Sequence, residues 1–138
     1  MIVGAQKCAT TTLFEVLERH PALSGCGNKE PHFFSTTEDW KTALDDYHKL
    51  YTQKEGLKFF EGSTTYTFAP HRNKEMWKDL HEYNPEMKFI YMVRNPLARL
   101  VSAYMHSYER GYTERELNDA LVHEPYMVDV TRYMMQIA

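Results

Sequence analysis

The sequence predicts an α/β fold, a P-loop-like parallel sheet flanked by helices and incomplete toward the C-terminus. Three observations carry that prediction. The chain opens on a short apolar run, Ile2-Val3, that ends at Gly4 and leads through a lysine-bearing loop into an amphipathic segment. A second run, Lys88–Val93, leads in the same way through Arg94-Asn95-Pro96 into another amphipathic segment. Between them strand, loop and helix patterns alternate, which implies parallel strands joined by right-handed crossovers.

Each element has a local reason. The first helix is expected over about Thr10 to His20, with Leu13, Phe14, Val16 and Leu17 as its apolar positions and Pro21 as its stop. Gly25, Gly27 and Asn28 mark a turn-rich connection. Pro31 restricts Glu30 to extended geometry, which suits a side chain projecting into a cleft. Ser35-Thr36-Thr37-Glu38-Asp39 has the pattern of a helix start, followed by an apolar face of Trp40, Leu44, Tyr47, Leu50 and Tyr51. Lys58-Phe59-Phe60-Glu61 reads as a short buried strand, and a helix is expected near Asn73–Tyr83 with Met76, Trp77 and Leu80 on its inner side. After the strand Lys88–Val93, Asn95 and Pro96 supply an N-cap and a first helical residue. Leu97, Leu100, Val101, Tyr104, Met105 and Tyr108 recur at helical spacing and form one apolar face, with Arg99 and Ser102 on the polar side. Gly111 ends that helix, and Thr113-x-x-Glu116 has the form of a capping box for another.

The opening loop is an anion site in chemical terms. The first N–H groups of a helix have no intrahelical partner, and its dipole places partial positive charge there. Lys7 and the hydroxyls of Thr10, Thr11 and Thr12 add donors suited to a phosphate or sulfate. An ordinary strand-to-helix turn with a solvated lysine would have the same pattern. A nucleoside-triphosphate P-loop fits less well: Lys7 follows Gly4 by three residues, no second glycine precedes it, and Cys8 occupies the place of the magnesium-binding hydroxyl. The strand Lys88–Val93 ends on Arg94 rather than an aspartate, and an arginine holds an anion, not a metal. Arg94, the adjoining helix N-terminus and the Ser102 hydroxyl can hold a second phosphate through charge-assisted bonds. Arg99 is either a structural ion pair or a ligand contact.

Taken together, Gly4-Ala5-Gln6-Lys7-Cys8-Ala9-Thr10-Thr11 resembles the 5′-phosphosulfate loop of the sulfotransferase superfamily, and Arg94-Asn95-Pro96-Leu97-Ala98-Arg99-Leu100-Val101-Ser102-Ala103-Tyr104 resembles its 3′-phosphate motif, R-[ND]-P-x-x-R-x-x-S-x-Y. Lys29-Glu30-Pro31-His32-Phe33-Phe34 is similar to the K-E-x-x-F-F segment of the heparan sulfate N- and 3-O-sulfotransferase branch and its bacterial relatives. The resemblance implies transfer of a sulfuryl group from 3′-phosphoadenosine 5′-phosphosulfate (PAPS) to a hydroxyl or amine of a carbohydrate or small molecule, leaving adenosine 3′,5′-bisphosphate and requiring no metal. It implies Glu30 as general base and Lys7 as stabiliser of the leaving group. Lys7, Cys8, Ala9, Thr10 and Thr11 would hold the 5′ end, and Arg94 and Ser102 the 3′-phosphate. His32 is a rival base, and Glu61 and Ser63 are candidates for substrate contact. The branch often carries E-K-S-x-x-Y where this chain has Glu61-Gly62-Ser63-Thr64-Thr65-Tyr66, so Gly62 replaces a lysine. A P-loop kinase or NTPase and a non-catalytic nucleotide-binding fragment are the rival classes.

Composition narrows the partners. The 138 residues suffice for one domain, read here as the N-terminal part of a sulfotransferase domain. Sixteen Lys+Arg against nineteen Asp+Glu give a net charge of −3, so there is no global basic field for nucleic acid. No apolar run approaches membrane-spanning length and no signal peptide precedes the first strand, which makes the cytoplasm the default location unless a targeting segment is missing. Cys8 and Cys26 form no C-x-x-C pair, and the seven histidines lack metal-ligand spacing. About three parallel strands and an unfinished last helix would leave a sheet edge and apolar surface uncovered. The 138-residue chain alone is therefore expected to be marginally stable, aggregation-prone and inactive.

Overall fold

A computed structural model of the chain describes residues 1–52, 55–71 and 76–137. Along the chain run β1 (Ile2–Gly4), α1 (Thr10–Glu18), β2 (Leu23–Gly25), α2 (Phe33–Thr36), α3 (Leu44–His48), β3 (Lys58–Phe60), a 3₁₀ turn (Thr64–Thr67), α4 (Met76–Tyr83), β4 (Ile90–Tyr91), α5 (Pro96–Glu109), α6 (Leu117–His123), α7 (Tyr126–Asp129) and α8 (Tyr133–Ile137). β1 pairs in parallel with β4, and β2 in parallel with β3. The two pairs join where the Ile2 amide donates to the Glu61 carbonyl at 2.8 Å and the Ser63 amide to the Ile2 carbonyl at 3.0 Å. The spatial order is thus β2-β3-β1-β4, all parallel, with helices between successive strands. The α/β class with a parallel sheet flanked by helices is the observed fold.

Two apolar clusters hold the sheet. Phe14 of α1 packs on Phe60 of β3 with ring centroids 4.8 Å apart, beside Ile2. On the second side Phe33, Phe34, Trp40, Tyr47, Tyr51, Met76 and Leu80 form an aromatic-rich core in which Phe33 and Tyr47 stack at 4.3 Å. Burying an aromatic side chain removes 150–250 Å² from contact with water, so this cluster fixes α2 and α3 against the sheet despite their short length.

Several sequence expectations need correction. The connection around Gly25 is a strand, β2, because its three residues pair in register with Lys58, Phe59 and Phe60. β3 itself is only partly buried, with Phe59 exposed. The helix expected from Ser35 does not start there. The Ser35 and Thr36 hydroxyls donate back to the His32 carbonyl, and Thr37 is extended, so these residues close α2 instead. α1 ends at Glu18, two residues earlier than expected. The expected helix at Asn73 begins outside the described residues; from Met76 onward it is present, with Met76 and Leu80 buried but Trp77 exposed. Thr113 does not cap α6, which starts at Leu117; its hydroxyl accepts from the Arg115 amide and donates to Glu124.

The largest correction concerns α5. Asn95 caps it as expected, its side chain accepting from the Ala98 amide at 3.1 Å, and Gly111 at φ 69° follows its end. Its buried face, however, is Arg99, Ala103 and Ser107, while Leu97, Val101, Met105 and Tyr108 are exposed. Spacing identifies which residues share a face, not which face turns inward. Small residues at 103 and 107 let α7 pack closely, and Arg99 spans the junction by donating to the Met127 carbonyl at 2.6 Å.

Candidate active site

The site forms at the carboxyl ends of β1, β3 and β4, the place where open parallel sheets bind ligands. After β1 the chain turns through Lys7 and Ala9, both with left-handed φ (66° and 63°), and enters α1. Ala9 is the N-cap and has no side-chain acceptor, so the first N–H groups of α1 remain available to a ligand. Gly4 is needed for this exit. Its φ is 154°, and a Cβ there would lie 2.2 Å from the Thr67 Oγ1, a hydroxyl that donates to the Val3 carbonyl at 2.8 Å.

A cavity of about 430 Å³ opens in front of this loop. Its lining comprises Gln6, Lys7, Ala9, Thr10 and Thr11 of the loop and the start of α1, Arg94 from the segment after β4, His106 of α5, and Glu30 and Thr64. Arg94 folds toward the loop, its Nη1 donating to the Lys7 carbonyl at 3.5 Å, and its own carbonyl accepts from the Tyr133 hydroxyl at 2.9 Å. Glu30 is held on both oxygens: Lys29 Nζ donates to Oε1 at 2.8 Å and the Thr64 hydroxyl to Oε2 at 3.0 Å, with His32 Nε2 3.8 Å from Oε2. Burial alone would raise the Glu30 carboxyl, but Lys29, Thr64 and His32 together outweigh it and hold the group below the usual carboxylate range. Glu30 is thus ionised at neutral pH and able to accept a proton.

Of the residues singled out from sequence, Lys7, Ala9, Thr10, Thr11, Glu30 and Arg94 meet in this one cavity. Glu30 is not extended, as Pro31 suggested; its φ is 62°. Cys8 lies beneath the loop, buried, with Sγ 3.7 Å from the Tyr133 hydroxyl. Ser102 is half-buried on α5, outside the cavity lining. His32 stands beside Glu30, but its Nδ1 is engaged with the Thr65 hydroxyl at 2.8 Å. Glu61 and Ser63 do not face the cavity: both are fully buried under the Glu30 turn, because three hydroxyls converge on the Glu61 carboxylate. Arg99 is buried as well, with Nε and Nη1 meeting no acceptor among the described residues, so it contacts neither a carboxylate nor the cavity.

Sequence reasoning missed Gln6, Thr64 and His106. His106 was legible, since it lies one helical turn beyond Ser102 and on the same side of α5. Burial and the charges of Lys7 and Arg110 push its pKa down. Gly62 is not a steric requirement: the nearest atoms to a Cβ there belong to Ile2 and Phe14, at 3.5 Å, ordinary contact distance. Among the described residues no group of His, Cys, Asp and Glu is arranged to hold a metal ion, and no helix is long and apolar enough to cross a membrane.

The sequence model of the sulfotransferase domain matches residues 1–136. The chain belongs to the sulfotransferase family. Among curated proteins, human heparan sulfate glucosamine 3-O-sulfotransferase 6 is 32% identical over 105 residues, covering 75% of this chain and 29% of the relative. Mouse heparan sulfate glucosamine 3-O-sulfotransferase 5 is 29% identical over 108 residues, again 75% of this chain and 29% of the relative. The crystal structure of a sulfotransferase from Alicyclobacillus acidocaldarius superposes with a TM-score of 0.81 at 27% identity, covering 99% of this chain and 64% of that one. The chain therefore spans under a third of the length of these curated sulfotransferases and about two-thirds of the bacterial one.

Proposed function

We propose that this sulfotransferase chain takes PAPS as donor and passes the sulfuryl group to a hydroxyl or amine acceptor. One observation carries the reading: the lining of a single cavity gathers an open helix N-terminus with Lys7, a separate cation in Arg94, and an ionised carboxylate, Glu30. The donor set fits a ligand bearing two anionic groups. Lys7, the hydroxyls of Thr10 and Thr11 and the N–H groups opening α1 would hold the 5′ end, and Arg94 with the start of α5 the 3′-phosphate, Ser102 supporting it from the next turn. Cys8 and Ala9 would contribute backbone rather than side chains.

The bound donor supplies an electrophilic sulfur and a phosphate leaving group. The acceptor O–H or N–H bond breaks as its lone pair attacks sulfur, and the proton passes to a Glu30 oxygen. The bond from sulfur to the bridging oxygen breaks with its electron pair, and Lys7 and the α1 amides stabilise the negative charge that collects on that oxygen. No step calls for a metal. The named relatives act on heparan sulfate glucosamine, which makes an amino-sugar oligosaccharide the first acceptor to try.

The test is incubation of the protein, these residues together with whatever flanks them in the natural chain, with PAPS and a glucosamine-containing oligosaccharide, following release of adenosine 3′,5′-bisphosphate and the mass of the acceptor. Equimolar bisphosphate and sulfated acceptor, formed in the presence of EDTA, support the reading. Nucleotide turnover that needs magnesium and ATP instead would replace it with a phosphoryl-transfer enzyme.

A further inference from the structure

The Glu30 turn is strained in a way that its own residues do not explain. Glu30 and His32 both adopt left-handed φ, 62° and 56°, on either side of Pro31, a conformation that side chains disfavour. Something outside the turn must hold it. The His32 amide donates to the Ser63 Oγ at 3.0 Å, and Ser63 Oγ donates in turn to Glu61 Oε2 at 2.7 Å. Glu61 Oε1 receives the Tyr66 hydroxyl at 2.8 Å and the Tyr47 hydroxyl at 3.0 Å, and Tyr47 is itself bonded by Tyr51 at 2.8 Å.

We propose that Glu61 is a positioning residue for Glu30, acting through Ser63 and the His32 amide. The proposal rests on the reading of Glu30 as the group that takes the acceptor proton. A buried carboxylate costs folding free energy unless fully hydrogen-bonded, and an apolar side chain would fill the same space without that cost. What the carboxylate adds is direction. The Glu61 oxygens accept from Ser63, Tyr47 and Tyr66, so the single Ser63 proton is committed to Glu61 and the Ser63 lone pairs turn toward the His32 amide. The same strand exit carries Thr64, whose hydroxyl bonds Glu30 Oε2 at 3.0 Å. One buried anchor therefore fixes the turn from beneath, at His32, and the Glu30 carboxylate from the side, at Thr64. An amide at position 61 offers one acceptor oxygen for three incoming hydroxyls and can donate to Ser63, which reverses the polarity of the relay.

The experiment uses the protein with these 138 residues in their natural chain, whatever flanks them included, and two variants, Ser63→Ala and Glu61→Gln. Backbone amide exchange is followed by NMR, with adenosine 3′,5′-bisphosphate affinity and PAPS turnover alongside. Ser63→Ala should speed exchange of the His32 amide by roughly tenfold or more relative to amides of α5, as expected for loss of a buried bond. Nucleotide affinity should stay within about threefold, because neither residue lines the cavity wall that faces the anions. Turnover should fall roughly tenfold or more with the KM for PAPS unchanged, and Ser63→Ala should cost nothing further in a Glu30→Gln background. If Glu61→Gln does not fold, Ser63→Ala decides alone. His32 exchange that changes no more than exchange in α5, or an equal loss of turnover in both backgrounds, overturns the proposal. Full turnover in Glu30→Gln itself contradicts the base reading instead, and the His32 amide then still reports whether the relay exists.

Discussion

Arg99 of α5 donates to the carbonyl oxygen of Met127 at 2.6 Å across the junction with α7, and its other guanidinium nitrogens lie buried without an acceptor among the described residues. A charge held by one neutral carbonyl is a weak source of stability, because its desolvation is only partly repaid. Burial accordingly pushes the guanidinium pKa down. Arg99→Met, which keeps the stem and removes the charge, should change the unfolding free energy by no more than about 1 kcal/mol, whereas Arg99→Ala leaves a cavity and should cost about 2–4 kcal/mol. Urea denaturation of both variants checks this. Equal, large losses would mean that the charge itself holds α7.

Arg94 is the exposed cation of the site. Removing a charged hydrogen-bond partner costs about 1.5–3 kcal/mol, so Arg94→Ala should weaken adenosine 3′,5′-bisphosphate binding by roughly 10- to 100-fold while leaving adenosine 5′-monophosphate nearly unaffected. Calorimetry on the two nucleotides reads the difference. Equal affinity for both in the unmutated chain would remove the 3′-phosphate from the assignment.

Gly4 joins β1 to the loop where a Cβ has no room. Gly4→Ala brings a methyl group against Thr67 Oγ1 at a φ that alanine resists, and should cost about 1–3 kcal/mol. The pair Gly4→Ala with Thr67→Gly should recover part of that loss, the part due to the clash rather than to φ. Thermal melts of the single and double variants separate the two.

Acid should expose Glu30. Its folded pKa lies below its unfolded value, so its contribution to stability is present above the ordinary carboxylate pKa of about 4.3 and is lost as pH falls through the lower, folded value. Glu61 has the opposite sign: burial raises its pKa against three hydroxyl donors, and its contribution is lost as pH rises through that raised value. Glu30→Gln should therefore flatten the acid side of a stability–pH profile, and Glu61→Gln should flatten a decline at higher pH. Unaltered slopes would contradict these environments.

Much of the site was legible because its parts are local. A glycine ending a strand, a lysine in the loop and hydroxyls opening a helix are contiguous from Gly4 to Thr11, and the Arg94-Asn95-Pro96 step repeats the geometry at β4. What resisted reading depends on distant partners. Nothing near Glu61 in sequence says that Tyr47 will meet its carboxylate, so a strand-end glutamate reads as a candidate substrate contact. β2 hides among glycines because three residues gain their strand character only by pairing with β3. On α5 the apolar stripe at Leu97, Val101 and Met105 outweighed Ala103 and Ser107 in the pattern, yet the small side chains are the ones that allow close helix packing.

The central claim is that Glu30 takes the acceptor proton in a cavity that holds the donor independently of it. Glu30→Gln keeps size and most hydrogen bonding but removes the basic oxygen. Single-turnover measurement with PAPS and an amino-sugar acceptor should show a fall of roughly 10²–10⁴-fold, the usual contribution of a positioned base, with adenosine 3′,5′-bisphosphate affinity unchanged. His32→Asn, the control beside it, should retain most of the rate. Near-normal turnover in Glu30→Gln together with its loss in His32→Asn would contradict the account and move the base to His32.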